Sequence, residues 1–187
     1  DFILCFEYRQ DAERVLEALT KRFAKYGLTL HPEKTRLMEF GRGALMKSED
    51  GKGEKPATFD FLGFTHLCAR TRRGSFTVHV RTMKKRLKRS VKAVSEWCRK
   101  HRHDPVEKQC EALNRKLRGH YQYYGRPTNF ESIRKFYEAV CKDWKKWLNR
   151  RTRGHTLTWQ IYVKLLARYP LLRPWITQPW PNLGSSV

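Results

Sequence analysis

The residues with the plainest chemistry in this sequence are cations at helical spacing. Lys84, Lys85, Arg86, Lys88, Arg89 and Lys92 crowd one stretch, and Lys142, Lys145, Lys146, Arg150, Arg151 and Arg153 crowd another. Such side chains neutralise phosphates and release counterions, which gives affinity without reading base sequence. Between the two runs lies Gly119-His120-Tyr121-Gln122-Tyr123-Tyr124-Gly125. A small residue such as Gly119 lets a nucleic-acid backbone approach, and an aromatic such as Tyr123 can stack on a base or pack on a sugar edge. Helical spacing sets Tyr121 and Tyr124 on the apolar stripe of Leu117, a core position, whereas Arg118 and Gln122 point elsewhere and suit RNA contact. A charge run is ordinarily just a solvated face, so the total charge has to decide.

The chain of 187 residues carries 40 Lys and Arg against 18 Asp and Glu, a formal net charge of +22. Charge of that size self-repels unless a polyanion offsets it, which makes nucleic acid the default partner and an anionic membrane surface its competitor. Residues 1–80 hold 14 basic and 11 acidic residues, a net of +3; residues 81–187 hold 26 and 7, a net of +19. The polyanion-binding part therefore belongs to the second segment. Forty per cent apolar residues, with 6 Trp, 8 Tyr and 10 Phe, suffice for a core. No apolar run approaches a membrane span, and no secretory signal is visible, so no membrane partner is expected.

Five cysteines, Cys5, Cys68, Cys98, Cys110 and Cys141, are scattered without a C-x-x-C pair. That fits reduced thiols in a cytoplasmic protein better than a disulfide framework. Cys98, His101, His103 and Cys110 lie close in sequence, but their spacing matches no usual zinc pattern, and no zinc is expected.

The elements that must position these residues fall into two groups. Phe2–Phe6 reads as a buried strand, 10–26 as an amphipathic helix with Gly27 as its C-cap, and Thr35–Phe40 as another strand. Residues 41–56 have the Gly, Pro and charge mix of a loop. Strands follow at 59–67 and 76–80. A core strand that starts abruptly at Asp1 reads as a piece of a longer chain. After residue 80 the period becomes helical. Met83, Leu87, Val91, Val94 and Cys98 line one helix; Val106, Cys110, Leu113, Leu117 and Tyr121 line a second, opened by Asp104 as N-cap and Pro105. Phe130, Ile133, Tyr137, Val140, Trp144 and Leu148 line a third, capped by Thr128 or Asn129. A fourth spans about 157–168, and Trp144, Trp147 and Trp159 read as core rather than as stacking platforms. The expected fold is α+β: residues 1–80 as antiparallel strands with one helix, residues 81–169 as a helical bundle docked directly on the sheet, and residues 170–187 as a proline-rich, non-helical tail.

Four segments, in order, carry a resemblance. Asp1-Phe2-Ile3-Leu4-Cys5-Phe6 resembles the second half of the Y-x-D-D strand of reverse transcriptases, with Asp1 as the second aspartate. Residues 27–42, with Glu33-Lys34-Thr35 at their centre, resemble the next polymerase motif. Phe59-Asp60-Phe61-Leu62-Gly63-Phe64 resembles the F-x-F-L-G-[FY] primer-grip hairpin, and Leu117–Gly125 the core of the maturase-specific domain. Together they are similar to the C-terminal part of a group II intron-encoded reverse transcriptase/maturase, from the end of the palm through the thumb.

That resemblance implies an RNA-directed DNA polymerase, a nucleotidyltransferase of mobile elements that also assists RNA splicing. It implies Mg²⁺ in the complete enzyme with Asp1 as a metal ligand and catalytic residue, since two-metal phosphoryl transfer needs clustered carboxylates. Lys34 would neutralise or protonate the leaving pyrophosphate, or else be a solvated lysine in a turn. Phe61, Leu62, Gly63 and Phe64 would support the primer end, though each also suits a core strand with a Gly bend. The implied partners are structured intron RNA and an RNA–DNA template-primer duplex. A maturase remnant that only binds RNA, a related CRISPR-associated reverse transcriptase, and a generic basic RNA-packing protein are the alternatives. The oligomeric state is not legible.

Overall fold

The computed structural model describes residues 2–51, 53–151 and 157–178. In chain order they form α1 (Arg9–Ala24), α2 (Arg42–Glu49), β1 (Phe59–Phe61), β2 (Phe64–Arg70), β3 (Phe76–Thr82), α3 (Lys84–Lys100), α4 (Val106–Tyr124), a 3-10 turn (Pro127–Asn129), α5 (Phe130–Asn149) and α6 (Trp159–Arg168). The class is α+β, with a three-stranded antiparallel sheet in the order β1-β2-β3. The chain divides into two compact units. The first holds the described residues up to Phe61 together with Leu67–Val78, and the second holds Leu62–His66 with everything described from His79 onward.

In the first unit, α1 forms because Ala12, Val15, Leu16, Leu19 and Phe23 recur every three or four positions. It ends in a Schellman turn. The Leu28 N–H donates to the Phe23 carbonyl at 3.0 Å and the Gly27 N–H to the Ala24 carbonyl at 3.1 Å, and Gly27 supplies the left-handed φ of +68°. Only Ala12 and Ala44 are buried among this unit's apolar residues. Phe2–Phe6 is not a strand. It is exposed, and among the described residues no ladder pairs with it. Thr35–Phe40 likewise forms no strand. A strand is defined by its neighbour, and local apolar content cannot supply one. The expected loop at 41–56 instead contains α2, where Ala44-Leu45-Met46-Lys47 are strong helix formers. Arg70 of β2 forks onto the Glu49 carboxylate at the end of α2 and donates to the Gly74 carbonyl at 2.7 Å. This pairing holds the Glu49 carboxyl below the usual carboxylate range.

The second unit closes a core. Val94 and Cys98 of α3, Cys110, Leu113, Leu117 and Tyr121 of α4, Ile133, Phe136, Val140, Trp144 and Leu148 of α5, and Tyr162 of α6 form one buried cluster. α3 carries the expected stripe. Gln109, also buried, ties polar groups together at its end: its amide donates to the Asp104 carbonyl at 2.8 Å and accepts from the Trp144 indole at 3.0 Å. The residue expected to cap α4 does not do so. The cap position is Pro105, and the Asp104 carboxylate faces the His101 ring at 2.8 Å.

Thr128 and Asn129 also do not cap α5 with their side chains. Both reach to the end of β3. The Thr128 hydroxyl accepts from the Val80 N–H at 2.8 Å and donates to the Val80 carbonyl at 3.1 Å, standing in for a neighbouring strand. The Asn129 carbonyl accepts from the Thr82 N–H, and its amide donates to the Thr82 hydroxyl and the Tyr124 carbonyl, all at 2.8 Å.

The described part of the tail, residues 170–178, holds no helix, yet it is packed. Leu171 is buried against the core. Asn114 of α4 donates to the Pro170 carbonyl at 3.0 Å and accepts from the Leu172 N–H at 2.7 Å, and the Tyr121 hydroxyl donates to the Leu172 carbonyl at 3.0 Å.

Candidate nucleic-acid interface

Within the second unit the turn between β1 and β2 is held by the aromatic end of α4. The expected strand at 59–67 is broken there, because Leu62 and Gly63 take positive φ values of +47° and +82°. A leucine in that region is strained, and such strain persists only where surroundings over-determine it. The restraint is visible: the Tyr123 hydroxyl donates to the Leu62 carbonyl at 2.8 Å, and the Met83 N–H to the Gly63 carbonyl at 3.0 Å. Gly63 is needed twice over, since a Cβ there would stand 3.2 Å from the Tyr124 hydroxyl oxygen as well as adopt the wrong φ. Phe64 stacks on Tyr123 with ring centres 5.8 Å apart and meets the edge of Tyr124 at 5.3 Å. The Arg126 guanidinium lies 6.0 Å over the Phe64 ring.

The Leu62 side chain remains 60% exposed at the tip of this turn and Tyr123 50% exposed beside it. Arg86 and Arg89 of α3 are close enough to Tyr124 that their charge offsets part of the upward push which burial, and then Tyr123, exert on its hydroxyl pKa. Leu62, Gly63, Phe64, Tyr123, Arg86 and Arg89 thus belong to one neighbourhood. Phe61, the fourth residue expected to support a primer, belongs to the other unit.

Lys84, Lys85, Arg86, Lys88, Arg89 and Lys92 are all exposed on α3. Among the described residues the one ion pair they make is Lys92 with Glu96 at 3.9 Å, so α3 presents a nearly uncompensated cationic ridge. Arg118, Gly119 and Gln122 are exposed on α4, as the apolar stripe required, while Tyr121 is fully buried and Tyr124 half-buried. His120 is buried too, stacked on Phe136 with ring centres 3.7 Å apart. Burial lowers its pKa from 6.5 to about 4, so it is neutral near pH 7.

The second expected strip is more engaged. Lys146 and Arg150 lie 5.2 and 5.0 Å over the Trp147 ring, and Lys145 lies 4.8 Å over that of Trp159. Arg151 donates to the carbonyls of His103 and Asp104, each at 3.1 Å, and so closes the α3–α4 turn. Lys142 is exposed and, among the described residues, has no ion-pair partner. Arg153 lies outside the described residues. Trp144 is fully buried and Trp147 half-buried as expected, but Trp159 is 55% exposed, against its reading as core. Its place at the first position of α6 explains this: Tyr162, one turn on, takes the core site instead.

Lys34 sits in an exposed turn of the first unit, where its N–H donates to the His31 carbonyl. Asp1 lies outside the described residues. Among the described residues no three His, Cys, Asp or Glu side chains converge as a metal site, so none is assigned to a divalent ion. Cys98 is buried with its thiol pushed up to about 12, and the Cys110 thiol donates to the Pro170 carbonyl. No described helix is long and apolar enough to cross a membrane. Sequence reasoning missed Arg126, and it read Thr128 and Asn129 as helix caps. The signal available was the run Tyr124-Gly125-Arg126-Pro127-Thr128-Asn129, whose polar side chains sit too close to a tight turn to serve one helix alone.

No family model, no curated protein and no solved structure matches this chain.

Proposed function

We propose that this chain is the C-terminal part of a group II intron-type reverse transcriptase/maturase, whose second unit grips structured RNA and the template-primer duplex. The observation that carries the reading is a contact between two separate motifs. The turn of Leu62–Phe64 is held by Tyr123 and Tyr124 of the Leu117–Gly125 segment, with the cations of α3 beside them. Residues of the two segments that resemble the family's primer grip and maturase core thus meet within the second unit.

In the complete enzyme Mg²⁺ would supply Lewis-acid stabilisation of the transferring phosphoryl group, with Asp1 among its ligands. What the described residues do is bind: Lys84, Lys85, Arg86, Lys88 and Arg89 neutralise phosphates, and the exposed side chain of Leu62, whose carbonyl Tyr123 holds, rests against a nucleic-acid end.

Binding to a folded RNA hairpin, followed by fluorescence anisotropy over a range of salt, tests the reading. The Lys85→Glu, Arg86→Glu, Lys88→Glu, Arg89→Glu variant should lose most of the affinity and flatten the slope of log K against log salt by about four. Unchanged affinity and slope would remove α3 as the contact surface.

A further inference from the structure

The exposed end of α6 carries a feature that phosphate gripping does not use. Trp159 is 55% exposed on a short helix that otherwise turns its large aromatic, Tyr162, fully inward. The indole is not loose. It meets the edge of Tyr162 with ring centres 5.7 Å apart, and the Lys145 ammonium sits 4.8 Å from its centre. Tyr162 is itself anchored, its hydroxyl donating to the Cys141 carbonyl of α5 at 2.9 Å. The ring is therefore held in place while much of it faces solvent.

The surroundings are cationic. Lys145 lies over the Trp159 ring, and Lys142, exposed, stands one turn before it on α5. The described segment from Leu157 to Gln178 contains Lys164, Arg168 and Arg173 and no carboxylate at all. An exposed indole with Lys145 over it, a lysine that among the described residues has no ion-pair partner, suits a ligand that is flat in one part and anionic in the next. Within a duplex, base faces are already covered by their neighbours, so such a platform selects unpaired nucleotides.

We propose that Trp159 is a stacking platform for an unpaired nucleobase, with Lys142 and Lys145 on the flanking phosphates, so that α6 adds a single-strand subsite to the RNA-binding surface. The inference rests on the proposed RNA-binding function and names a second ligand class for it. Stacking of this kind is lost on truncation to alanine and partly kept by another aromatic.

The test uses the full chain with two probes, a single-stranded ten-nucleotide oligoadenylate and a blunt RNA duplex of similar length. Trp159→Ala should weaken oligoadenylate binding about 5- to 150-fold and leave duplex binding within about twofold. Trp159→Phe should keep much of the affinity yet remove most of the tryptophan fluorescence quenching that oligoadenylate causes. Circular dichroism should show both variants folded, since the ring is not part of the core. Oligoadenylate affinity untouched by Trp159→Ala overturns the inference. So does a wild-type chain that binds duplex and not oligoadenylate, and that outcome leaves the proposed function standing. Loss of self-association in Trp159→Ala, with unchanged oligoadenylate binding, would assign the face to a second copy of the chain instead. Failure of the wild type to bind either probe or a folded hairpin would sink the RNA-binding reading itself.

Discussion

The two units put amphipathic helices to opposite ends. In the second, three long helices each bury a stripe against the others, and Trp144, Tyr121, Leu113, Leu117, Ile133 and Tyr162 lose all or nearly all contact with water. In the first, α1 has as regular a stripe, yet Val15, Leu16, Leu19 and Phe23 are only half-buried, and Phe2, Leu4, Leu28 and Leu37 are exposed. Amphipathic patterning creates a face to be buried; whether it is buried depends on a second element shaped to meet it. The charge follows the same division. The unit with the closed core can carry a dense cationic surface, because packing rather than charge balance holds it together.

Several changes should break or sharpen this contrast. The largest effect is expected from Trp144→Ala, which removes a fully buried indole and the partner of Gln109; a loss of about 3–5 kcal/mol in urea unfolding is predicted. Leu16→Ala in α1 should cost roughly 1 kcal/mol or less, since its side chain keeps part of its water contact. Comparable losses for the two would erase the distinction between the units.

Next in size is a pH effect confined to the second unit. His120 binds its proton less readily folded than unfolded, because burial lowers its pKa from 6.5 to about 4. The unfolded chain therefore takes up more protons as the pH falls through that window. Its contribution to stability is present above 6.5 and is lost progressively toward 4, by on the order of 3 kcal/mol. The slope of unfolding free energy against pH in this range should be shallower in His120→Gln. An equal slope in wild type and variant would mean that His120 titrates as an exposed histidine does.

Asn129→Ala should cost about 1–3 kcal/mol, because the Thr82 N–H and hydroxyl and the Tyr124 carbonyl lose their shared partner. Hydrogen exchange should then speed up at Thr82 and leave α1 unaffected. Gly63→Ala, where a positive φ and a Cβ crowding Tyr124 act together, should cost roughly 1–2 kcal/mol. Its RNA affinity should fall only as far as the Leu62 tip is displaced.

Reading the sequence succeeded where the pattern was local and long. The stripes from Met83 to Cys98 and from Phe130 to Leu148 determine their helices without help, although Phe130 at the start of α5 is exposed, and Gly27 marks where α1 stops. The reading failed where a residue's role depends on something distant. Phe2–Phe6 and Thr35–Phe40 have strand composition, but pairing is not a local property. Residues 42–49 lie in a Gly- and charge-rich stretch that hides four good helix formers. Asp104, Thr128 and Asn129 have the chemistry of helix caps, and their side chains instead serve His101, Val80 and Thr82. At the candidate site the exposed cations and Tyr123 were legible from periodicity. The grip of Tyr123 on Leu62 was not, because 61 residues separate them. Trp159 was misplaced because an apolar residue near a helix start can face either way until its neighbours are known.

On the proposed function, RNA is held by the second unit, through α3 and the aromatic end of α4. Ultraviolet cross-linking of a folded RNA hairpin to the full chain, with the attached peptides identified by mass spectrometry, tests it most directly. Cross-links should concentrate at Tyr123 and in the peptides of residues 84–92 and 118–126. Cross-links confined to residues 2–51, or spread evenly over both units, would contradict it.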